Sequence, residues 1–450
     1  MESKATRGIM PLLFVGVLMG ALDISIVGPA IPSIEKLLKI SSQYSSWIFS
    51  IYVLFNLVGI SLFARLSDIY GRRKIYILSI LIFALGSLVV SLTSSYDFLL
   101  LGRAIQGFGA SGIFPVASAV IGDLYPKEKR GQLLGLLGAV FGIAFMIGPF
   151  MAGIILNYFS WNVLFLINLP ISAGLVFYSS KLLPNYIVSN RAKVDWKGIL
   201  FLGLFLAGFT FSINNFKLSE SGDYGNKWIW IAAGISLVSF ILLFFTERHN
   251  PNAIIKLGFF KNPTIVITGV IAMVSGLVQA CFVFFPKYSV HTFGVSSSTA
   301  SFMLIPVVLA TAIGSPIFGK LIDKYGVKPI LIIGIILNFI GFSMMAVSGQ
   351  SLFLYYTSGV FIGLGLSILA GSSLRYIMLN VTKPEDRATS QGMLTIFTSS
   401  GQLIGSAIFG LILGSAVSAN SFQYIFLTAA AALFVVLGLA MMLRFSKTSN

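Results

Sequence analysis

One cysteine, two histidines and fourteen acidic residues are few for a chain of 450, and each shortage excludes something. Cys281 has no partner for an intrachain disulfide, and it lies in an apolar run where a free thiol packs like a small hydrophobe. His249 and His291 fall in loops assigned to opposite sides, so no set of nucleophile, base and metal ligand gathers at one depth, which argues against a membrane enzyme. No pattern calls for a cofactor or a metal. A phosphate-cradling G-x-x-x-x-G-K-[ST] loop is missing, so any work must be driven by a gradient and not by nucleotide hydrolysis. Period-2 alternation is also missing, which removes a transmembrane barrel. With no soluble domain in the pattern, a sensor or receptor has little support.

What the chain does have is apolar sequence. Hydrophobic residues make up 56% and charged residues 10% of it, and the mean hydropathy is +0.93. Apolar runs of 18 residues or more recur from end to end. Each crosses a hydrocarbon core of roughly 30 Å only as a helix, which satisfies its own backbone hydrogen bonds. The reading is an all-α integral membrane protein with fourteen spans: 8–33, 45–66, 74–93, 97–122, 130–156, 160–183, 196–215, 227–246, 263–287, 298–321, 328–347, 352–379, 388–416 and 421–444. The first run is longer than a signal-peptide core and has no small-residue cleavage site ahead of Asp23, so it is read as a retained helix.

A net charge of +16 suggests nucleic acid until the cations are placed. With the N-terminus inside, only Lys36, Lys39, Lys217, Lys227 and Lys287 fall on the outer side, and Arg103 and Arg375 fall within spans. The other 23 of the 30 Lys and Arg residues are cytoplasmic, as the positive-inside rule requires. Both termini are therefore expected in the cytoplasm, with the chain multi-pass in the plasma (inner) membrane and no nucleic-acid partner. Removing the seventh or eighth span would move every later loop to the other side and destroy the asymmetry. Attraction to anionic lipid accounts for most of these cations.

Two short loops repeat one another. Ala64-Arg65-Leu66-Ser67-Asp68-Ile69-Tyr70-Gly71-Arg72-Arg73 follows the second span, and Gly319-Lys320-Leu321-Ile322-Asp323-Lys324-Tyr325-Gly326-Val327-Lys328 follows the tenth. Leu, Asp, Gly and a cation recur at matching places. The pattern resembles G-x-L-x-D-x-x-G-(R/K)-(R/K), the signature of the major facilitator superfamily, with Ala64 in place of the first glycine. That resemblance extends over nearly the whole chain. It implies a six-helix bundle over 1–184, a linker with two extra transmembrane helices over 185–262, and a second six-helix bundle over 263–450. A substrate site between the halves and alternating access by rocking of one half against the other are implied with it. The resemblance further makes Asp68, Gly71, Arg72, Asp123, Asp323 and Gly326 a cytoplasmic gate in which Asp68 and Arg72 pair with Asp123. A set of solvated positive-inside charges is the alternative, and the second copy of the motif favours the gate.

Three further stretches resemble the fourteen-helix drug:proton antiporter group of that family. Leu22-Asp23-Ile24-Ser25-Ile26-Val27-Gly28-Pro29-Ala30-Ile31-Pro32 resembles its first-helix motif, departing at Gly28 and Pro29. Leu101-Gly102-Arg103-Ala104-Ile105-Gln106-Gly107-Phe108-Gly109 is similar to its fourth-helix motif, whose arginine is associated with proton movement. Gly138, Gly142, Gly148, Pro149 and Gly153 resemble the antiporter motif of the fifth helix, with Ala144 and Ala152 replacing glycines. Glycines there let helices approach closely and proline bends the helix, and ordinary membrane-helix packing is the alternative.

Of the fourteen acids, Asp23 alone lies within a span. At 1.5 Å per residue it sits roughly 22 Å from the cytoplasmic surface, and Arg103 lies roughly 8 Å from the outer one, which puts the two at one depth in a core of about 30 Å. Burying either charge alone costs at least about 2.5–3.5 kcal/mol, so a pair or a wet cavity is expected. An arginine alongside favours the ionised carboxylate, and its withdrawal favours protonation, which makes Asp23 and Arg103 the expected proton-coupling pair. A static pair that orients the first helix is the alternative. Arg375 is read as snorkelling to the cytoplasmic interface. Asn56, Gln106, Gln279, Phe282, Phe285, Tyr355 and Gln402 are candidates for a substrate cavity, with packing and interhelical hydrogen bonding as the competing role. The expected function is a monomeric, proton-coupled secondary transporter exporting amphipathic or cationic small molecules. Its competitors are transport of a metabolite and translocation of a lipid.

Overall fold

The computed structural model describes residues 8–125, 127–184, 195–215, 227–248, 250, 253, 257–370, 372–382, 387–413 and 419–443. All regular structure among them is helical, as a chain inside hydrocarbon must be to satisfy its own backbone donors and acceptors. The first unbroken helices are α1 (Ile9–Leu38), α2 (Ser42–Tyr70), α3 (Arg72–Leu92), α4 (Tyr96–Leu124) and α5 (Lys127–Tyr158). The sixth span is two pieces, α6 (Asn162–Leu166) and α7 (Asn168–Leu182). The linker supplies α8 (Trp196–Asn215) and α9 (Lys227–Arg248). Then come α10 (Pro263–Ala280), α11 (Phe285–Phe293), α12 (Ser297–Phe302), α13 (Ile305–Tyr325), α14 (Val327–Ala346), α15 (Leu352–Leu369), α16 (Ser372–Val381), α17 (Arg387–Leu413) and α18 (Ala419–Met441).

Among the described residues, 13 helical segments are long and apolar enough to cross a membrane. The remaining expected span, 130–156, is α5, of which Ile147–Tyr158 qualifies as a shorter apolar helix. Four expected spans are interrupted helices. In the ninth, the 3₁₀ turn Cys281–Val283 separates α10 from α11, and the helix runs on to Phe293 before closing on Gly294 at φ 65°. Pro286 explains the interruption, because its ring displaces the Phe282 carbonyl four residues back and it donates no hydrogen bond.

The repeated loops fold alike. Gly71 joins α2 to α3 at φ 94°, ψ 144°, and Gly326 joins α13 to α14 at φ 88°, ψ 162°. A side chain is strained in that backbone region, so a single glycine suffices to reverse direction between two long helices.

The chain divides into two compact units. The first comprises Met1–Ile40, Trp47–Gly208 and Gly234–Ala253, and the second Ser41–Ser46, Phe209–Ala233 and Ile254–Asn450. The division runs through the linker helices and not at their ends. Within the first unit α3 lies along α4, and α1 lies against α5, α7 and α4. In the second, α14 lies along α15 and α18, and α10 along α17. The same device brings helices together in both units. A Cβ on Gly107 of α4 would collide with the Tyr52 carbonyl of α2, and one on Gly363 of α15 with the Val307 carbonyl of α13. Small residues at such crossings supply the packing that lipid, as apolar as leucine, does not drive. By contrast α9 turns Leu237, Phe240, Phe244 and Phe245 outward, the dress of a lipid-facing helix.

Candidate ion-pair site of the first unit

Asp23 lies midway along α1 and Arg103 two turns into α4, and neither is exposed at all (0%). Arg103 Nη1 meets Asp23 Oδ2 at 2.5 Å. The other carboxylate oxygen, Oδ1, accepts from Gln106 Nε2 and from Asn168 Nδ2, each at 3.0 Å. Gln106 Oε1 in turn accepts from Arg103 Nη1 at 2.9 Å. Ser87 Oγ on α3 takes the second amide bonds of Gln106 (2.7 Å) and Asn168 (3.2 Å). Arg103 Nε reaches the Ile48 carbonyl at 3.2 Å, and the guanidinium carbon stands 4.3 Å from the centre of the Tyr52 ring and 5.7 Å from that of Phe165. Arg103 Nη2 has no hydrogen-bond partner and sits among these rings.

The local sequence makes this possible. Gly86 lets α3 and α4 touch backbone to backbone, since a Cβ there would strike the Gln106 amide nitrogen, and so Ser87 comes within reach of Gln106. The break between α6 and α7 puts Asn168 at the first position of a new helix, facing α1. Charges so fully removed from water persist only when paired and hydrogen-bonded; both Asp23 oxygens and two of the three Arg103 nitrogens meet that condition, and Nη2 is left to the aromatic rings. The depth estimate thus anticipated a real contact. Asn168, Ser87 and Tyr52 were not anticipated. Asn168 did carry a signal, as an amide isolated in the apolar run Phe165-Leu166-Ile167-Asn168-Leu169.

At the turn between α2 and α3, Arg72 gathers two carboxylates. Its Nη1 meets Asp68 Oδ1 at 2.5 Å and Ser67 Oγ at 2.6 Å, and its Nε meets Asp123 Oδ2 at 2.9 Å. Arg72 is nearly enclosed, whereas the Asp68 and Asp123 side chains are 24% and 26% exposed. The second copy keeps the Gly326 turn but places Val327 after it, and Lys328 Nζ donates to the Met441 carbonyl at the end of α18, at 2.8 Å. The side chain of Asp323 lies outside the described residues.

In α5, Gly148 faces α1 so closely that a Cβ would collide with Ser25 Oγ. That hydroxyl donates to the Ala144 carbonyl at 3.0 Å, one turn before Pro149. Gly153 is buried farther along α5, and the surroundings of Gly138 and Gly142 lie outside the described residues.

The seven cavity candidates do not form one group. Asn56 Nδ2 ties α2 to the Gly107 carbonyl of α4 at 3.3 Å. Gln106 belongs to the ion-pair network. In the second unit Gln402 donates to Gln279 Oε1 at 3.1 Å, and Phe282 stacks on Phe285 with centroids 5.0 Å apart. Phe285 and Tyr355, 0% and 1% exposed, are enclosed: Phe285 by Phe342 and Phe426, Tyr355 by Tyr288 and the Ser289 hydroxyl. In this conformation Gln106, Phe285 and Tyr355 are interior residues and not cavity walls, because their polar or aromatic faces are already committed to neighbours. Sequence does not distinguish an aromatic that lines a cavity from one that fills a core.

Two helical units with internal repetition and a buried ion pair are the architecture of a membrane transporter. The chain belongs to the major facilitator superfamily, whose family model matches residues 13–290 and 267–450. It is 30% identical over 417 residues to the MFS-type transporter YfiU of Bacillus subtilis, covering 91% of this chain and 80% of the relative. Multidrug resistance protein 3 of the same organism is 28% identical over 420 residues, with coverage of 91% and 80%. The riboflavin transporter RibZ of Clostridioides difficile is 27% identical over 417 residues, with coverage of 92% and 89%. Among solved structures, the xylose transporter XylE from E. coli matches with a TM-score of 0.68 at 14% identity over all of both chains, which shows the fold alone. The protein is therefore a multi-pass membrane transporter and not an enzyme.

Proposed function

We propose that the chain is a proton-coupled secondary transporter that exports amphipathic or cationic small molecules by alternating access, as a monomer in the plasma (inner) membrane with both termini in the cytoplasm. The observation that carries this reading is the Asp23–Arg103 pair, a fully buried acid and base on two different helices. In this reading Asp23 is the anion partner of Arg103 while the two are in contact and the proton carrier while they are apart. A conformational change that alternately makes and breaks this contact therefore loads and unloads one proton. Relatives named for multidrug resistance support the export direction, as does the close α1–α5 approach at Gly148 and Ser25. The Arg72 cluster acts as the cytoplasmic gate, its ionic contacts made in one state and released in the other.

Proteoliposomes under an imposed pH gradient test this against a panel that includes ethidium and riboflavin. The wild type moves at least one compound uphill with a countermovement of protons, and Asp23→Asn, inserted normally, moves none uphill. Uphill transport by Asp23→Asn refutes the coupling role. A second reading, transport of a metabolite, is favoured by the likeness to RibZ, and the panel's riboflavin arm addresses it.

A further inference from the structure

The contacts around Asp23 place two unlike partners on its two oxygens, and the difference assigns a role to Asn168. Oδ2 faces the guanidinium of Arg103, while Oδ1 faces only amide N–H groups, from Gln106 and Asn168. All of these are donors, which suits a carboxylate. A protonated Asp23 is different: its new O–H needs an acceptor, and neither a guanidinium nor an amide nitrogen is one. Some partner must therefore change face when the proton arrives.

Gln106 is pinned at both ends of its amide, its Oε1 by Arg103 Nη1 and its Nε2 by Ser87 Oγ and Asp23. Turning it would break three hydrogen bonds together. Asn168 is held through its Nδ2, to Asp23 and to Ser87, the latter at the longer 3.2 Å. An amide exchanges a donor for an acceptor by a half-turn of its terminal torsion, a broad torsion with two nearly equal orientations, and with no change of charge.

We propose that Asn168 is the positioning residue for proton exchange at Asp23: its nitrogen holds the ionised carboxylate, and its carbonyl, turned inward, accepts from the protonated acid. This rests on the coupling reading above. The step balances simply. A hydronium ion on the open side forms an O–H bond at Asp23 Oδ1 and leaves water, Arg103 stays cationic, and the site gains one positive charge. Release reverses each change. Among the described residues, the ionisable groups facing Asp23 are Arg103 from α4 and Tyr52 from α2. From α7 come the Asn168 amide and the Ser172 hydroxyl, which is spent on Met19 Sδ, and from α5 the contact is through Gly148 and the Ala144 carbonyl beside Ser25.

The test is an infrared acid titration of the full chain in lipid nanodiscs, following the carbonyl stretch of protonated carboxyl groups, with Asp23→Asn identifying the Asp23 band. A hydrogen bond to the acid shifts that band, whereas a merely structural role for residue 168 leaves it in place. Asn168→Leu is expected to displace the Asp23 band from its wild-type wavenumber, and Asn168→Gln, which keeps the amide, to return it toward the wild-type value. Asn168→Ala carries the test if the leucine variant does not fold. A band unmoved in both Asn168→Leu and Asn168→Ala overturns the role of Asn168 and leaves the coupling reading standing. A wild type with no Asp23 band at any acidic pH overturns both.

Discussion

The two units share their helix crossings but not their interiors. In the first, the centre holds an acid, a base, two amides and a hydroxyl in one connected network. In the second, α10 and α15 contain no charged residue, and the interior around α11 is aromatic. Phe285 meets Phe426 with centroids 5.7 Å apart, and Tyr288 meets Phe426 at 5.3 Å and Phe422 at 5.4 Å. At matching crossings the two units use the same glycine device, Gly107 against Tyr52 and Gly363 against Val307. The repeat thus kept what helix packing demands and diverged in what it encloses. One unit encloses an ion pair held by amides, the other a cluster of aromatic rings on a helix that also carries the buried Lys287.

The largest effect that can break this contrast is a change at Arg103. Arg103→Ala strands a buried carboxylate and should destabilise the protein by about 3–5 kcal/mol, seen as lower membrane abundance and earlier thermal aggregation in detergent. Adding Asp23→Asn to the same chain should recover most of that loss, since no buried charge is then left alone. If the double variant is no better than Arg103→Ala, the network is not held together by charge.

Phe285→Ala should cost a comparable amount or slightly less, about 3–5 kcal/mol by cavity formation, but by a different route. Transport per folded molecule should still follow the pH gradient. A folded Phe285→Ala protein that moves substrate only downhill would place coupling in both units and dissolve the contrast.

Next come the paired glycines. Gly107→Ala and Gly363→Ala each drive a methyl into a facing backbone carbonyl and should lower stability by about 1–3 kcal/mol. Gly234→Ala in α9, where nothing lies within 4 Å of the added carbon, should be neutral. Unequal losses at 107 and 363, measured by thermal melting, would show that the repeat is one of sequence and not of mechanics.

Smaller in stability than the paired glycines is Arg72→Gln. Its carboxylate partners are a quarter exposed, so the change should remain below about 1 kcal/mol. Its effect belongs in the transport rate, and Val327 at the corresponding place in the second unit predicts that Val327→Ala leaves the rate alone.

Much of this was legible in the chain. Apolar runs of spanning length fix helices, because no other backbone arrangement satisfies its hydrogen bonds in lipid except a closed barrel, whose alternation is missing. The repeated Asp-x-x-Gly loop identified the glycine turns, and both adopt the positive φ that only glycine tolerates well. Asp23 and Arg103 share a depth that can be read from the chain because a helix rises by a fixed 1.5 Å per residue. It says nothing about rotation. Whether Gln106 faces a cavity or a carboxylate, and whether Phe285 lines a wall or fills a core, depends on which way each helix is turned against its neighbours.

The sequence by itself determined that this is a helical membrane protein, its repeated architecture, and which two charges within its spans were too costly to leave alone. The tertiary structure alone decided how those charges are held. Asn168 and Ser87 are 81 residues apart and on different helices. Only the close approach of α3 and α4 at Gly86 and the break before α7 bring them together, so that the amide held by Ser87 also holds the carboxylate, since such a contact is made by packing between helices and leaves no periodicity along any one of them.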